Sequence, residues 1–229
     1  DAIIITTPHD THAGLVKKTI GAGKFCICEK PLALTAKDCR SILQSPSSKK
    51  RVVVAFQTRY SVPVRYLIDM VRESRLGTIR YCSVSVRKRR DRAYFVNSWH
   101  GKLRKAGGML FTHGIHALDL MLQICGEPHT TWGEGLRIRA FKEMEDIFVG
   151  HVQFKNGALG AIEVTTFARK EAGDNIMFVM GDRGTIKISG PTFNRLEYTS
   201  LEGRLDIRKS ENSEEAWQCD SAFLAAATD

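Results

Sequence analysis

Ala2-Ile-Ile-Ile-Thr6 and Lys24-Phe-Cys-Ile-Cys-Glu29 are the two stretches that decide how the first part of this chain folds. Each is short, apolar and rich in strand-forming residues, which is typical of parallel strands covered on both faces. Pro8 ends the first strand and Pro31 ends the second, because proline cannot continue a hydrogen-bonded ladder. The second strand therefore leaves Lys30 at its carboxyl end, where open α/β sheets bind ligands.

Helices separate these strands from each other and from a third strand. Apolar residues at helical spacing follow Pro8, and Asp10 or Thr11 is a suitable N-cap for that helix. Thr35 predicts the start of a second helix, which reaches to about residue 44, and residues 51–56 form another apolar run. The alternation of strand and helix predicts half of a doubly wound nucleotide-binding domain.

The other half of such a domain has no counterpart in the sequence. A dinucleotide fold normally opens with a Gly-x-Gly-x-x-Gly turn between a strand and a helix. Gly21-Ala22-Gly23 ends a helix instead of starting one, and no other stretch fits the pattern. We expect the first strands of the sheet to precede Asp1.

The chain changes character after Tyr60. A helix over 64–75 and a strand over 78–87 are followed by a loop of unusual length, and then by a helix that Gly107-Gly108 opens. Gly126 and Pro128 end that helix. Beyond it the pattern predicts six strands, at 131–141, 146–154, 158–167, 175–181, 185–189 and 196–199, with turns at 155–157 and 181–184 that favour antiparallel neighbours.

Two constellations together predict a proton-transfer site. Lys30 ends a buried strand, and Thr112, His116 and Asp119 stand at i, i+4 and i+7 on the helix that can face it. Lysine serves as a base when burial or a neighbouring cation lowers its pKa, whereas histidine titrates near neutral pH without help. His113 lies off this helical face, so we leave it out of the predicted site.

Each candidate also has a purely structural interpretation. Lys30 alone resembles a solvated lysine beside a turn, His116 alone is equally consistent with a structural histidine, and Asp119 suits a structural role better than a catalytic one. His9 and His12 lack the carboxylate or thiolate companion that a metal site needs. The six cysteines, at 26, 28, 39, 82, 125 and 219, show no zinc spacing, so we predict reduced thiols and no metal.

Five motifs occur in a fixed order along the chain: Ile5-Thr-Thr-Pro-His-Asp-Thr-His12, Ala22-Gly-Lys24, Glu29-Lys30-Pro31, Gln57-Thr-Arg59-Tyr60, and Gly107-Gly-Met-Leu-Phe-Thr-His-Gly-Ile-His116-Ala-Leu-Asp119. In this order the chain resembles the Gfo/Idh/MocA oxidoreductases. The resemblance implies an α/β fold with the C-terminal half of a doubly wound Rossmann domain over 1–58. It also implies an α+β domain with a large, mostly antiparallel open sheet over 59–229.

The resemblance further implies roles for individual residues. Lys30 would contact the reacting hydroxyl near the nicotinamide of NAD or NADP, and His116 would be the acid/base. Substrate contacts would come from Thr112, Asp119, Arg59 and Trp99, and cofactor contacts from Thr7, Pro8, His12, Glu29, Lys30 and Gln57. The family often has an aspartate four residues before the histidine, where this chain has Thr112, although some sugar-nucleotide dehydrogenases of the family also have a neutral polar residue there.

The net charge of +9 restricts the possible partners. The basic run over 87–92, with aromatic residues after it, could be a nucleic-acid footprint, but no nucleic-acid motif surrounds it. Attraction of an anionic ligand or a solvated basic surface explains it better. No apolar stretch is long enough for a membrane span, and we expect a cytoplasmic protein without a membrane partner.

Two functions from different classes remain open. The first is a pyridine-nucleotide dehydrogenase that acts on a hydroxyl of a sugar, sugar nucleotide or cyclitol. The second is a non-catalytic sensor or corepressor on the same scaffold. The resemblance also implies a homo-oligomer formed through the C-terminal sheet. The choice between NAD and NADP depends on a residue after the second strand of the complete fold, which is not in this sequence.

Overall fold

The computed structural model describes residues 1–46, 48–169 and 173–207. The first part is a three-stranded parallel sheet in the order β1-β2-β3, with β1 (Ala2–Ile5), β2 (Phe25–Cys28) and β3 (Val52–Val54). Its helices are α1 (His9–Gly21), α2 (Ala36–Leu43) and the short α3 (Ser48–Arg51). Strand β1 lies at one edge of this sheet, and Ile4 there is 64% exposed.

The second part is an eight-stranded sheet in the order β11-β10-β9-β8-β4-β7-β6-β5. Only β4 and β7 are parallel, and the other neighbours are antiparallel. The strands are β4 (Ile79–Arg87), β5 (Pro128–Leu136), β6 (Ile147–Phe154), β7 (Leu159–Thr165), β8 (Asp174–Gly181), β9 (Gly184–Ser189), β10 (Arg195–Leu201) and β11 (Arg204–Ile207). The helices are α4 (Val62–Arg72), α5 (Arg92–Val96), α6 (Leu103–Ala106) and α7 (Ile115–Cys125), and a π-helical turn (Leu110–Gly114) leads into α7.

The two faces of the large sheet differ. Helices α4 and α7 cover one face, where Val84, Val164 and Met177 are buried in the main core. The other face carries exposed apolar side chains, which the strand register places on the same side: Trp132, Leu136, Val149, Leu159 and Met180. Of the helices that the structure describes, none is both long and apolar enough to cross a membrane.

Most predicted elements are confirmed, and the exceptions have local causes. Thr35 caps α2 as predicted, since its hydroxyl accepts the N–H of Asp38 at 3.1 Å. Neither Asp10 nor Thr11 caps α1. That helix begins at His9, directly after Pro8, and the Thr11 hydroxyl donates to the Pro8 carbonyl at 2.7 Å. The hairpin turns at 155–157 and 181–184 join antiparallel neighbours as predicted, whereas β11 was not predicted.

The strand predicted over 131–141 is displaced. It begins at Pro128, which an edge strand tolerates, and it ends at Leu136. The buried Asp146 carboxylate accepts the backbone N–H groups of Ile138 and Arg139 at 2.7 and 2.8 Å, so these groups are unavailable to a ladder. Likewise, the long loop predicted after β4 contains short helices, among them α5 and α6.

Candidate active site

A cavity of about 280 Å³ lies where the end of β2 meets the large sheet and the turn before α7. Four of the predicted site residues, Lys30, Gln57, Thr112 and His116, line it. Its other lining residues are Thr58, Val86, Lys88, Arg90, Tyr94, His113, Ala117, Asn175, Pro191, Thr192 and Phe193. A cavity of this size is at the lower end of the range for ligand pockets, roughly 300–1,000 Å³, and suits a monosaccharide-sized group.

The end of β2 holds Lys30 in this cavity. The buried His12 ring lies between two carbonyls, with Nδ1 2.7 Å from Pro31 O and Nε2 2.8 Å from Thr7 O, and so ties the ends of β1 and β2 together. The Lys30 ammonium reaches across to donate to the Thr112 carbonyl at 3.1 Å. Burial lowers the pKa of Lys30, although Glu29 opposes that shift. Lysine with a lowered pKa can both donate and accept a proton.

The π-helical turn determines which side chains face the cavity. A π turn holds more residues than an α turn, so Thr112, His113 and His116 all line the cavity instead of diverging around the helix. Leaving His113 out of the predicted site was wrong for this reason, because the prediction assumed α-helical spacing throughout. Gly114 lies against the sheet here, where an added Cβ would come within 2.7 Å of Val164 Cγ2.

The start of this helix is anchored by a distant carboxylate. Gly107 has a φ of +82°, and an added Cβ there would meet Leu34 Cδ2 at 2.4 Å, so both the conformation and the space require glycine. The Glu145 carboxylate then accepts the N–H of Met109 at 2.6 Å, which caps one of the free donors of the first turn. The loop between β5 and β6 thus positions the helix that carries His116.

His116 is enclosed and carries no charge at neutral pH. Its ring meets Phe56 edge to face at 5.8 Å, and its Nδ1 is buried with no hydrogen-bond partner among the described residues. Burial, followed by the charges of Lys30, Lys88 and Arg59, lowers the pKa of His116 to about 3. The sequence-based expectation of an ordinary histidine therefore needs correction, since this ring is a weak base as long as the cavity holds only cations.

The lowered pKa of His116 predicts a specific loss of stability in acid. The unfolded chain protonates His116 near pH 6.5 and the folded protein near pH 3, so the unfolded state binds more protons between these values. The free energy of unfolding should therefore fall with pH below about 6.5, by up to about 1.4 kcal/mol per pH unit. Urea unfolding measures the free energy of unfolding at pH 7 and at pH 5. Between these two pH values, His116→Asn should lose less of it than the wild type does. Equal losses would contradict this, and the exposed His129→Asn serves as the control.

The remaining predicted residues lie around the cavity in different roles. Arg59 and Asp119 do not line it, because they form a two-pronged ion pair with each other, in which Arg59 Nε donates to Asp119 at 2.7 Å. The Trp99 ring packs against that of His9 at 4.6 Å, and His9 Nδ1 lies 2.9 Å from Ala106 O. These contacts join α1 to the segment that precedes the π turn.

Two cations in the cavity were not predicted as site residues. Lys88 and Arg90 belong to the basic run after β4, which the sequence alone marks only by its charge. The described residues that line the cavity include no Asp or Glu to neutralise them. Among the residues that the structure describes, no group of three or more His, Cys, Asp or Glu could hold a metal ion.

Known proteins similar to this chain include oxidoreductases. An uncharacterized oxidoreductase of Streptococcus pneumoniae is 25% identical over 210 residues, which are 89% of this chain and 56% of that protein. Inositol 2-dehydrogenase of Rhizobium meliloti is 33% identical over 131 residues, 56% of this chain and 37% of the enzyme. The chain spans about half the length of the curated relatives that it matches.

A solved structure with the same fold is the WlbA dehydrogenase from Bordetella pertussis, in complex with NADH and UDP-GlcNAcA. It superposes with a TM-score of 0.81 at 22% identity, over 100% of this chain and 64% of WlbA. Residues 1–57 match the model of an oxidoreductase family with an NAD-binding Rossmann fold, and residues 64–187 match the GFO/IDH/MocA C-terminal domain. The chain therefore belongs to the GFO/IDH/MocA oxidoreductase family.

Proposed function

We propose that this chain is part of an NAD(P)-dependent dehydrogenase that transfers a hydride between a nicotinamide cofactor and a hydroxyl of a sugar, sugar nucleotide or cyclitol. The main support is that the half-buried amine of Lys30 and the unpartnered Nδ1 of His116 belong to one small cavity. The names of similar proteins agree with this class: inositol 2-dehydrogenase, and WlbA with NADH and UDP-GlcNAcA.

The residues present fit the nicotinamide end of the cofactor. The carboxyl ends of parallel β1 and β2 lead to Thr7 and Lys30, which is the edge where open α/β sheets bind ligands. Thr7, Pro8, His12, Glu29, Lys30 and Gln57 are the proposed contacts. The sequence contains no Gly-x-Gly-x-x-Gly turn, so these residues would hold the nicotinamide half and not the pyrophosphate.

The proposed chemistry follows from the two bases of the cavity. When bound, the nicotinamide ring supplies the hydride acceptor. Oxidation of a carbinol requires a group that takes up the hydroxyl proton. Lys30, with its lowered pKa, is the proposed proton acceptor and the donor that polarises the oxygen in the reverse direction. In the second proposed path the Lys30 ammonium donates to the hydroxyl oxygen, and neutral His116 accepts the hydroxyl proton through Nδ1 once a negative ligand raises its pKa.

The neighbourhood of the cavity has proposed supporting roles. Thr112 contacts the substrate, Trp99 walls the cofactor side, and the Arg59–Asp119 pair stiffens the rim where a larger substrate would extend. We also propose a division of the chain near residue 58 and a cytoplasmic homo-oligomer. The exposed apolar face of the large sheet, with Trp132 at 52% exposure, supports association through that sheet.

Cofactor binding and turnover test the proposal separately. Titration of the chain with NADH and with NADPH, followed by nicotinamide fluorescence, should give a saturable signal for at least one of them. A screen of sugars and cyclitols with the matching oxidised cofactor should then show absorbance of the reduced cofactor. An unchanged fluorescence would contradict cofactor binding by this chain. Binding without turnover of any substrate would favour a sensor or corepressor instead.

A further inference from the structure

The end of β4 directs two cations into the cavity by simple strand alternation. Cys82, Val84 and Val86 are buried on the face that packs against α7, and Lys88 and Arg90 continue the same alternation. The backbone N–H groups of Lys88 and Arg90 bond to Thr165 O and Thr166 O at 2.9 and 3.1 Å, so the extended path continues past the end of the strand. Val86, Lys88 and Arg90 accordingly all line the cavity.

The other basic residues of this run lie outside the cavity. Arg87 forms a two-pronged ion pair with Glu163, at 2.9 Å from Nε and 2.7 Å from Nη2. Arg89 is exposed and does not line the cavity. The run 87–90 is therefore not one basic patch, because alternate residues serve opposite faces. Arg89, the exposed cation between Lys88 and Arg90, is therefore a natural control for variants of these two cavity residues.

No Asp or Glu among the described residues that line the cavity neutralises the charges of Lys88 and Arg90. Arg90 Nε is buried without a hydrogen-bond partner among the described residues, and the Arg90 guanidinium lies 4.9 Å from the Tyr94 ring centre. Burial, Arg90 and Lys30 together lower the pKa of Lys88 to about 8. Half-buried cations without an acid nearby are partly desolvated, which reduces stability, and an anion that enters the cavity offsets that cost.

Other unpartnered polar atoms surround these cations. The Nε2 of His113 and the Oγ1 of Thr192 are buried without hydrogen-bond partners among the described residues, and both side chains line the cavity. Buried polar atoms without partners indicate a place where a polar ligand completes the hydrogen bonding. The wall formed by β4 thus offers two positive charges and further polar groups to a ligand that also reaches Lys30.

We propose that Lys88 and Arg90 form a subsite for an anionic group, a carboxylate or a phosphate, on the sugar-like substrate whose hydroxyl lies at Lys30 and His116. The position of that hydroxyl rests on the proposed function, but the anion subsite does not. A guanidinium and an ammonium on one wall can share the oxygens of either group through charge-assisted hydrogen bonds. The subsite would make this chain selective for acidic or phosphorylated sugars over neutral ones.

Calorimetric titration with three matched probes tests the subsite. D-glucuronate and D-glucose 6-phosphate carry an anion where D-glucose carries a hydroxyl. At low salt, at least one of the acids should bind at least tenfold more tightly than glucose, which is the effect of one charge-assisted hydrogen bond. The tighter of the two acids identifies the anion. If neither acid binds more tightly than glucose, or neither binds at all, the proposal is overturned.

Variants separate the subsite from general attraction by a basic protein. Lys88→Met and Arg90→Met should each abolish most of the preference for the acid, whereas Arg89→Met removes the same charge and should preserve it. Lys88→Met removes a half-buried charge and should fold at least as stably as the wild type, which thermal unfolding checks. If the preference survives in both inward variants, the subsite is refuted. If the protein prefers the acids but reduces no cofactor, the subsite proposal stands. That result would contradict only the proposed dehydrogenase function.

Discussion

Lys30→Met is expected to reduce kcat by about 10²–10⁴-fold, the usual contribution of a positioned acid/base group. Methionine has a similar length but can neither donate nor accept the substrate proton. The variant should remain folded, because burial lowers the pKa of Lys30 and its charge is therefore costly in the folded state. Its thermal midpoint should equal or exceed that of the wild type.

A matched set of variants makes the Lys30 result specific. Lys37→Met removes an exposed lysine on α2 and should leave kcat unchanged. Lys30→Arg retains the positive charge but cannot deprotonate at working pH, so its activity distinguishes proton transfer from electrostatic stabilisation. Full turnover in Lys30→Met, with the substrate and cofactor identified as above, would remove Lys30 from the catalytic site. The measurement is steady-state absorbance of the reduced cofactor.

Asp146→Ala should cost about 3–5 kcal/mol of the free energy of unfolding, the usual result of removing one partner from a buried ion pair. The Asp146 and Lys142 side chains are both 0% exposed, and the Lys142 ammonium lies 3.0 Å from the carboxylate. Arg139 Nε donates to the same carboxylate at 2.6 Å. Burial raises the pKa of Asp146, but the N–H of Arg139 and the Lys142 ammonium outweigh it and lower the pKa overall.

Urea unfolding of a second set of variants decides the cause of this loss. The half-exposed Arg87–Glu163 pair is the comparison, since Glu163→Ala should cost only about 1 kcal/mol or less. The double variant Asp146→Ala/Lys142→Met should recover part of the loss, because it leaves no unpaired ammonium. A cost for Asp146→Ala no greater than that for Glu163→Ala would contradict the assigned role. The same loop holds Glu145, so Asp146→Ala should also disturb the start of the helix that carries His116.

The elements of the fold could be predicted because their signals are local. Apolar strands bounded by Pro8 and Pro31, and hairpin turns with glycine, set the strands without knowledge of their neighbours. The end of β5 at Leu136 could not be predicted in this way. It depends on hydrogen bonds that the Asp146 carboxylate accepts from Ile138 and Arg139. Asp146 is ten residues further along the chain, and its sequence context predicts the start of a strand.

The candidate site was predicted in part, and each omission has its own physical cause. Lys30 and His116 follow from strand ends and helical spacing, but His113 was omitted because nothing in the sequence reveals that the helix opens into a π turn. The pairing of Arg59 with Asp119 is equally invisible, since two polar residues at a predicted site suggest a substrate. Lys88 and Arg90 could have been found, because the alternation of Val84 and Val86 continues directly into them.

The open edge at β1 determines how the chain behaves in a concentrated sample. Its outer backbone groups have no strand beside them among the described residues, and Ile3 and Ile4 are exposed on it. Such an edge is a template for pairing with another copy, which favours aggregation over time. Hydrophobic association weakens on cooling. We therefore expect dilute, cold solutions to slow association of this chain through β1.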